Sequence, residues 1–394
     1  MQKDKARIET LVAMAKRNKL DALVFVHPEN VLLGAGLLAS AQFTVCVITR
    51  AGRVIVIAPW WRREAMQSGS WADQVIGFNW LKTLKWIDPV EAICENLSRI
   101  SKKWKIRSVG FDGSFEMLGP CYIPSTSFPH GQLKRSLRKV FKRTTDVTKE
   151  LHRVRSIKTP HEIRMLKRAN KVSKEAARAF YKHARAGIRE SELAAEVIHA
   201  VQKQAGANGI GFTFCDPPQI TSGPKRTLHA NAPVCPATGK KLKTGELVML
   251  ELGGCADGFW FDLTRTLVVG KPKPVHKEMA AAIKEAMDAT YAAYSKGART
   301  GGDLTAPAFK AMNDFKKGLV HGIGHGLGFA YHEVEPGIGP GSKDVIEPGM
   351  VTSMEPGIYL QGIGGIRIEQ NVVWRENDVL VLSDFHNDLG GWSE

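Results

Sequence analysis

The sequence predicts two domains, an α/β domain over residues 1–150 and an α+β domain over residues 151–394. Three observations carry this prediction. At 394 residues the chain exceeds the usual size of one domain. Short Val- and Ile-rich runs alternate with helical patterns in the first part. A strong helix start at Thr159 opens the second part.

The N-terminal stretch MQKDKARIETLVAMAKRNKL is charged throughout and lacks the apolar core of a signal peptide. It reads as an amphipathic helix with Ile8, Leu11, Val12 and Ala15 turned inward. LDALVFV (20–26), FTVCVITR (43–50) and RVIVIAP (53–59) read as buried strands, and the Ala51-Gly52 link joins the last two as a hairpin. WADQVIGFN and IRSVGFD suggest further strands. At the boundary, Thr159 is a candidate N-cap, Pro160 stands at the first helical position and Glu162 completes a capping box. Met165, Ala169, Val172, Ala176 and Phe180 then recur at helical spacing. Further helices are expected over 190–206 and 277–295.

Composition sets outer limits. The chain is 43% hydrophobic and 24% charged, as in a soluble globular protein. No apolar run approaches the roughly 18 residues needed to span a membrane. Six cysteines, including Cys121, are scattered with no CxxC pair, which argues against a zinc knuckle or a disulfide framework and suits a reducing cytoplasm. The net charge of +16 gathers in KKWKIR, KRSLRKVFKR and HRVRSIK. No nucleic-acid motif accompanies it, so it reads as the solvated surface of a basic protein and no nucleic-acid partner is expected. Six of nine tryptophans (Trp60, Trp61, Trp71, Trp80, Trp86 and Trp104) lie in the first 110 residues and read as core packing rather than a cage for a cation.

The chemistry gathers in the second domain. HGIGHGLGFAYHE (321–333) places imidazoles in a stretch too glycine-rich for a helix. TGELVMLELGGCADGFWFDLTRTLVV (244–269) carries Asp257-Gly258 between two β-rich runs, a strong hairpin signal. A two-residue loop there sets 253 opposite 262 and 251 opposite 264, so Glu251 and Asp262 become diagonal neighbours on one face. Glu355 follows a strand and precedes a Pro-Gly turn. Glu369 alternates with Arg367 and Asn371 on the polar face of one strand. Each residue alone has an ordinary surface reading. Together Glu251, Asp262, His325, Glu355 and Glu369 make four carboxylates and one imidazole, suited to two divalent ions such as Mn, Co, Fe or Zn.

These segments resemble the creatinase, prolidase and aminopeptidase P family. RSIKTPHEI resembles the opening of its catalytic domain, GHGLG with His332-Glu333 its GHGxG…HE signature, and MEPGIY and RIEQ its EPGxY and RxE segments. The resemblance covers essentially the whole chain. It implies a creatinase-type α/β domain at the N-terminus, a pita-bread α+β catalytic domain at the C-terminus, and a homodimer. It implies the metal ligands Asp262, His325, Glu355 and Glu369. The family's first Asp falls on Glu251, eleven residues before Asp262 and one methylene longer. The resemblance further implies Glu355 as general base and acid, His229 and His332 as catalytic and substrate-binding histidines, and Arg367 beside the metal-bound carboxylate. His321 reads as structural.

The activity implied is metal-dependent C–N hydrolysis, most simply that of an Xaa-Pro dipeptidase or aminopeptidase acting on a small dipeptide. The alternative is a non-peptidase of the same family, akin to ectoine hydrolase, creatinase or dimethylsulfoniopropionate lyase. A third reading is an inactive protein- or RNA-binding member, against which the retained histidines and glutamates argue.

Overall fold

A computed structural model describes residues 2–38, 43–79, 81–82, 85–113, 130–230 and 235–390. Trp80 and Cys121 fall outside the described residues, as does the side chain of Trp86. The chain divides into two compact units at Arg155 and Ser156. The expected boundary near residue 150 lies inside the helix Thr148–Ser156.

The first unit is built on a six-stranded sheet in the order Gln74–Phe78, Val54–Pro59, Val45–Thr49, Ala22–Phe25, Ser108–Phe111, Arg143–Asp146. The Ala51-Gly52 hairpin forms, with Val47 opposite Ile55. The strands Ala22–Phe25, Val45–Thr49 and Val54–Pro59 are buried along their whole length, which is why they read as continuous apolar runs rather than alternating ones. The amphipathic helix is Lys5–Arg17, with Ile8, Leu11, Met14 and Ala15 buried and Val12 half-buried. The tryptophans do not all enter the core. Trp71 is buried, whereas Trp60 and Trp61 are 58% and 47% exposed on a 3-10 turn at the end of Val54–Pro59.

One buried carboxylate ties this unit together. Asp112 follows the strand Ser108–Phe111 and accepts hydrogen bonds from the backbone N–H of Val26 and of His27 (2.8 Å) and from the Asn30 amide (3.0 Å). His27 is the N-cap of the helix Pro28–Ala35 and makes no side-chain cap of its own. Asp112 therefore closes the strand-to-helix turn from outside.

In the second unit the long helix is Pro160–His183, and its capping box is complete. The Glu162 N–H donates to Thr159 Oγ1 (3.2 Å), and the Thr159 N–H donates to Glu162 Oε2 (2.8 Å). Ala169, Val172, Ala176 and Phe180 are buried as expected, but Leu166 rather than Met165 heads the stripe. This helix packs on the hairpin Leu247–Ala256 and Phe259–Val268. Asp257 and Gly258 sit at φ 52° and 92°, the left-handed pair that a two-residue hairpin turn requires. The register is the expected one, Gly253 opposite Asp262 and Glu251 opposite Thr264. A five-stranded sheet contains Gly324–Gly326, Val351–Met354 and Gln370–Trp374. Met279, Ile283 and Ala286 of the helix Pro274–Ser295 share a core with Ile358, Ile366 and Ile368.

Two local expectations need correction. Pro356-Gly357 is not a turn, because Gly357 already begins the strand Gly357–Leu360. The segment RIEQNVV is not one strand but two, Gly364–Arg367 and Gln370–Trp374, which belong to different sheets. The break falls at Ile368-Glu369, so alternation alone could not describe the faces of that segment.

Replacing Asp112 by Ala strips acceptors from two backbone N–H groups and one amide. A loss of about 2–4 kcal/mol from the first unit is expected. Calorimetry should show its transition earlier; an unmoved transition would mean that the carboxylate does not hold the turn.

Candidate metal centre

The hairpin and the C-terminal strands meet through side chains and one backbone bond rather than through a paired ladder. The Asp262 N–H donates to Asn371 Oδ1 (3.0 Å), and Asn371 Nδ2 donates to the Asp262 carbonyl (2.7 Å). The Asn371 amide thus mimics a neighbouring backbone. Thr266 Oγ1 donates to the Arg367 carbonyl (2.9 Å), and the Glu369 N–H donates to the Thr264 carbonyl (3.2 Å). These bonds bring Asp262, Arg367 and Glu369 to one place although more than 100 residues separate the hairpin from the C-terminal strands.

The glycine-rich stretch supplies the imidazole. His325 lies in the short buried strand Gly324–Gly326, so the stretch is no surface turn. Its N–H donates to Ser353 Oγ (3.1 Å), and its Nδ1 faces the Gly326 carbonyl at 3.0 Å. That contact keeps a proton on Nδ1, so Nε2 is the nitrogen that offers a lone pair when the ring is neutral. Nε2 stands 3.3 Å from Asp262 Oδ2 and 3.2 Å from Glu355 Oε1, within ion-pair distance but aligned to neither as a hydrogen bond. Burial opposes charge on His325, yet Asp262 and Glu355 together hold its pKa well above the usual value. Despite burial, the facing histidines hold Asp262 below the usual carboxylate range. Glu369 moves the other way, raised by burial and by Asp262, Glu355 and Glu251.

All five expected ligands fall in overlapping clusters. Asp262, His325 and His332 can bring ligand atoms within 4.8 Å of one another, as can His325, Glu355 and Glu369, and Glu251, Asp262 and Glu369. Asp262 Oδ1, His325 Nε2 and Glu369 Oε1 are buried without a hydrogen-bond partner. Buried polar atoms left so are costly, and these three residues belong to the overlapping clusters. Thr264 Oγ1 lies 2.6 Å from Glu251 and 2.8 Å from Glu369, but a hydroxyl has one proton to donate. Arg367 already meets Glu251, so the acceptor left unmet is Glu369 Oε1. The residues present therefore fit a divalent metal.

Glu251 is also held from outside the cluster. It accepts from Tyr331 OH (2.8 Å), from Thr264 Oγ1 and from Arg367 Nη2. Arg367 is buried and donates to Tyr359 OH (2.8 Å) and to the Ala230 carbonyl (3.1 Å). His321 Nε2 meets the same Tyr359 hydroxyl at 3.1 Å. His332 is half-exposed, with Nε2 3.7 Å from Asp262 and its ring 3.8 Å from that of His325 and tilted 40° to it. His229 is not in any of the clusters. It caps the helix Gly223–Leu228 with its side chain exposed, one residue before the Ala230 carbonyl that Arg367 holds.

Sequence reasoning missed Tyr331, Asp216 and the structural role of Asn371. Tyr331 adjoins His332 and was findable by proximity. Asp216 carried no signal, since it reaches the site by pairing on the far edge of the hairpin: its N–H donates to the Gly253 carbonyl (2.8 Å). Burial, Asp262 and Glu251 push it up to about 7.

Asn371→Ala would leave the Asp262 N–H and carbonyl buried without partners. We expect about 2–4 kcal/mol of lost stability in the second unit and weaker metal binding, by calorimetric unfolding and metal titration. Full stability and affinity would refute the bridging role.

Comparison with known proteins agrees with this geometry. Residues 164–376 match the model of metallopeptidase family M24. The chain is 28% identical to an Xaa-Pro dipeptidase of Pyrococcus furiosus over 387 residues, 98% of this chain and 99% of that one. It is 31% identical to an Xaa-Pro dipeptidase of Pyrococcus horikoshii over 270 residues, covering 67% of this chain and 73% of that one. The solved prolidase from Pyrococcus horikoshii OT3 superposes with a TM-score of 0.77 at 25% identity, over 98% of this chain and all of that one. The creatinase-type α/β domain and the pita-bread α+β domain are therefore both present. With its buried carboxylate–imidazole cluster inside the matched region, this chain belongs to metallopeptidase family M24.

Proposed function

We propose that this chain is a metal-dependent Xaa-Pro dipeptidase. The observation that carries the reading is three unpartnered buried atoms, on Asp262, His325 and Glu369, in overlapping clusters of candidate ligands within a family M24 chain. Full-length similarity to an Xaa-Pro dipeptidase supports the substrate class.

Glu251, Asp262, His325, Glu355 and Glu369 would hold two divalent ions of Mn, Co, Fe or Zn, with Asp262 and Glu369 common to adjacent clusters. Bound there, the metal supplies Lewis acidity that polarises a carbonyl and acidifies water. The chain's own residues do the rest. Glu355, half-buried at the mouth of the cluster, takes the proton of the attacking water and returns it to the leaving nitrogen. His332 donates to the carbonyl oxygen as it gains charge, and His229 contacts the substrate from the helix Gly223–Leu228. Arg367 positions Glu251 and balances the carboxylates around it.

Two wider inferences accompany this reading. The family resemblance supports a homodimer. Among the described residues no helix is long and apolar enough to cross a membrane. The five cysteines among the described residues are free, which supports a reducing compartment such as the cytoplasm.

The deciding test is metal content per chain on protein purified without added metal, with hydrolysis of Gly-Pro and Ala-Pro before and after chelation. About two ions per chain and chelator-sensitive cleavage are expected. No dipeptide cleavage after Mn or Co is restored would sink the reading and favour a non-peptide amide as substrate. Glu251→Gln should keep one ion and lose the second. His325→Ala should weaken metal binding by at least about 100-fold, more than the loss of a group behind a ligand. Unchanged stoichiometry and affinity in both would remove these residues from the ligand set.

A further inference from the structure

Three successive rows of side chains cross one face of the hairpin sheet. Phe214, Cys255 and Trp260 are directly opposed across the strands, as are Gln219, Glu251 and Thr264. Between them run Asp216, Gly253 and Asp262, since the Asp216 N–H bonds the Gly253 carbonyl and Gly253 opposes Asp262. Opposed residues project to the same face of a sheet, so the middle row points a carboxylate from each side over a glycine. Tyr331 fills the place of the missing side chain: a Cβ on Gly253 would lie 2.6 Å from its ring.

Asp216 is unlike the other carboxylates here. It is 6% exposed, its Oδ1 is buried without a hydrogen-bond partner, and it belongs to none of the three ligand clusters. The charges that act on it are Asp262 and Glu251, both negative. Beside it, Phe214 and Trp260 meet edge to face at 6.2 Å, and Trp260 leans on Tyr331 at the same distance. Phe214 and Trp260 are half-buried and border the solvent side of this row. A carboxylate lacking a partner, next to aromatic faces, is a setting for a cation brought in from outside.

We propose that Asp216 receives the free α-ammonium group of the substrate, flanked by Phe214 and Trp260, and so selects peptides with an unblocked N-terminus. This rests on the peptidase reading above and assigns a specificity residue that the metal cluster does not include. A primary ammonium has three donors, enough for Asp216 Oδ1 and its surroundings. An acylated amine has neither the charge nor the donors.

The test uses metal-loaded protein, wild type against Asp216→Asn, with calorimetric titration of L-alaninamide and N-acetyl-L-alaninamide. Wild type should bind the free amine and reject the acetylated one. Asp216→Asn should lose about 10- to 100-fold in affinity for the free amine, as expected for a charge-assisted contact. Its metal content should stay at the wild-type value. With Ala-Pro the same change should raise KM far more than it lowers kcat. Asp216→Glu, which keeps the charge, should retain preference for the free amine. Equal binding of both amides by wild type, or unchanged selectivity in Asp216→Asn, overturns the proposal. Loss of metal by a folded Asp216→Asn overturns it too, by making Asp216 a ligand. Should Asp216→Asn fail to fold, Asp216→Ser and the wild-type comparison of the two amides decide. If wild type cleaves no dipeptide, the peptidase reading fails, while the amide titrations still judge Asp216.

Discussion

The Asn371 amide, bonded to both backbone groups of Asp262, is the contact on which the centre depends. Two sheets facing each other leave unpaired N–H and C=O groups where strands end, and burying them unpaired is costly. Here side chains complete the pairing: Asn371 on Asp262, Thr266 on Arg367 and Arg265 on the carbonyls of Thr264, Glu369 and Ser383. Each of these bonds fixes a backbone atom next to a functional side chain. The positions of Asp262, Arg367 and Glu369 are therefore a by-product of closing the fold.

That closure gathers like charges in a buried space. Among the described residues, four carboxylates of the cluster and Asp216 beyond it are set against one guanidinium, Arg367, and the imidazoles of His321, His325 and His332. The electrostatic consequences are opposed within a few ångströms. Asp262 and Glu355 are held low by the histidines, and Glu369 is driven up by its neighbours. Such a set is stable only with compensating positive charge, so a bound divalent ion contributes to the folded state as well as to chemistry. Arg367 fills this role on one side, reaching Glu251 while Tyr359 and the Ala230 carbonyl hold its guanidinium in place.

Glu251 shows how a one-methylene departure is accommodated. Opposite Thr264 in the hairpin, it still brings an oxygen to Asp262 and Glu369, while Tyr331, Thr264 and Arg367 hold its carboxylate. Gly253 is the counterpart of that arrangement, because only a residue without a side chain lets the Tyr331 ring lie close enough. The aromatic ring, the longer carboxylate and the glycine form one packing unit.

Local rules written in the chain settled a good part of this protein. The capping box at Thr159, the Asp257-Gly258 turn and the resulting placement of Glu251 with Asp262 follow from short-range backbone preferences and a period of two, which tertiary structure did not override. The candidate ligands Glu251, Asp262, His325, Glu355 and Glu369 stood out in the chain because they sit in distinctive turns and signatures, and the fold gathers them in overlapping clusters. Tertiary structure decided what depends on distant segments meeting. It broke RIEQNVV between two sheets, turned Pro356-Gly357 into the start of a strand, and kept Trp60 and Trp61 out of the core. It also brought Asp216 beside the site, by pairing the strand Thr213–Cys215 on the hairpin and bonding the Asp216 N–H to the Gly253 carbonyl, a pairing that no periodicity in the chain encodes.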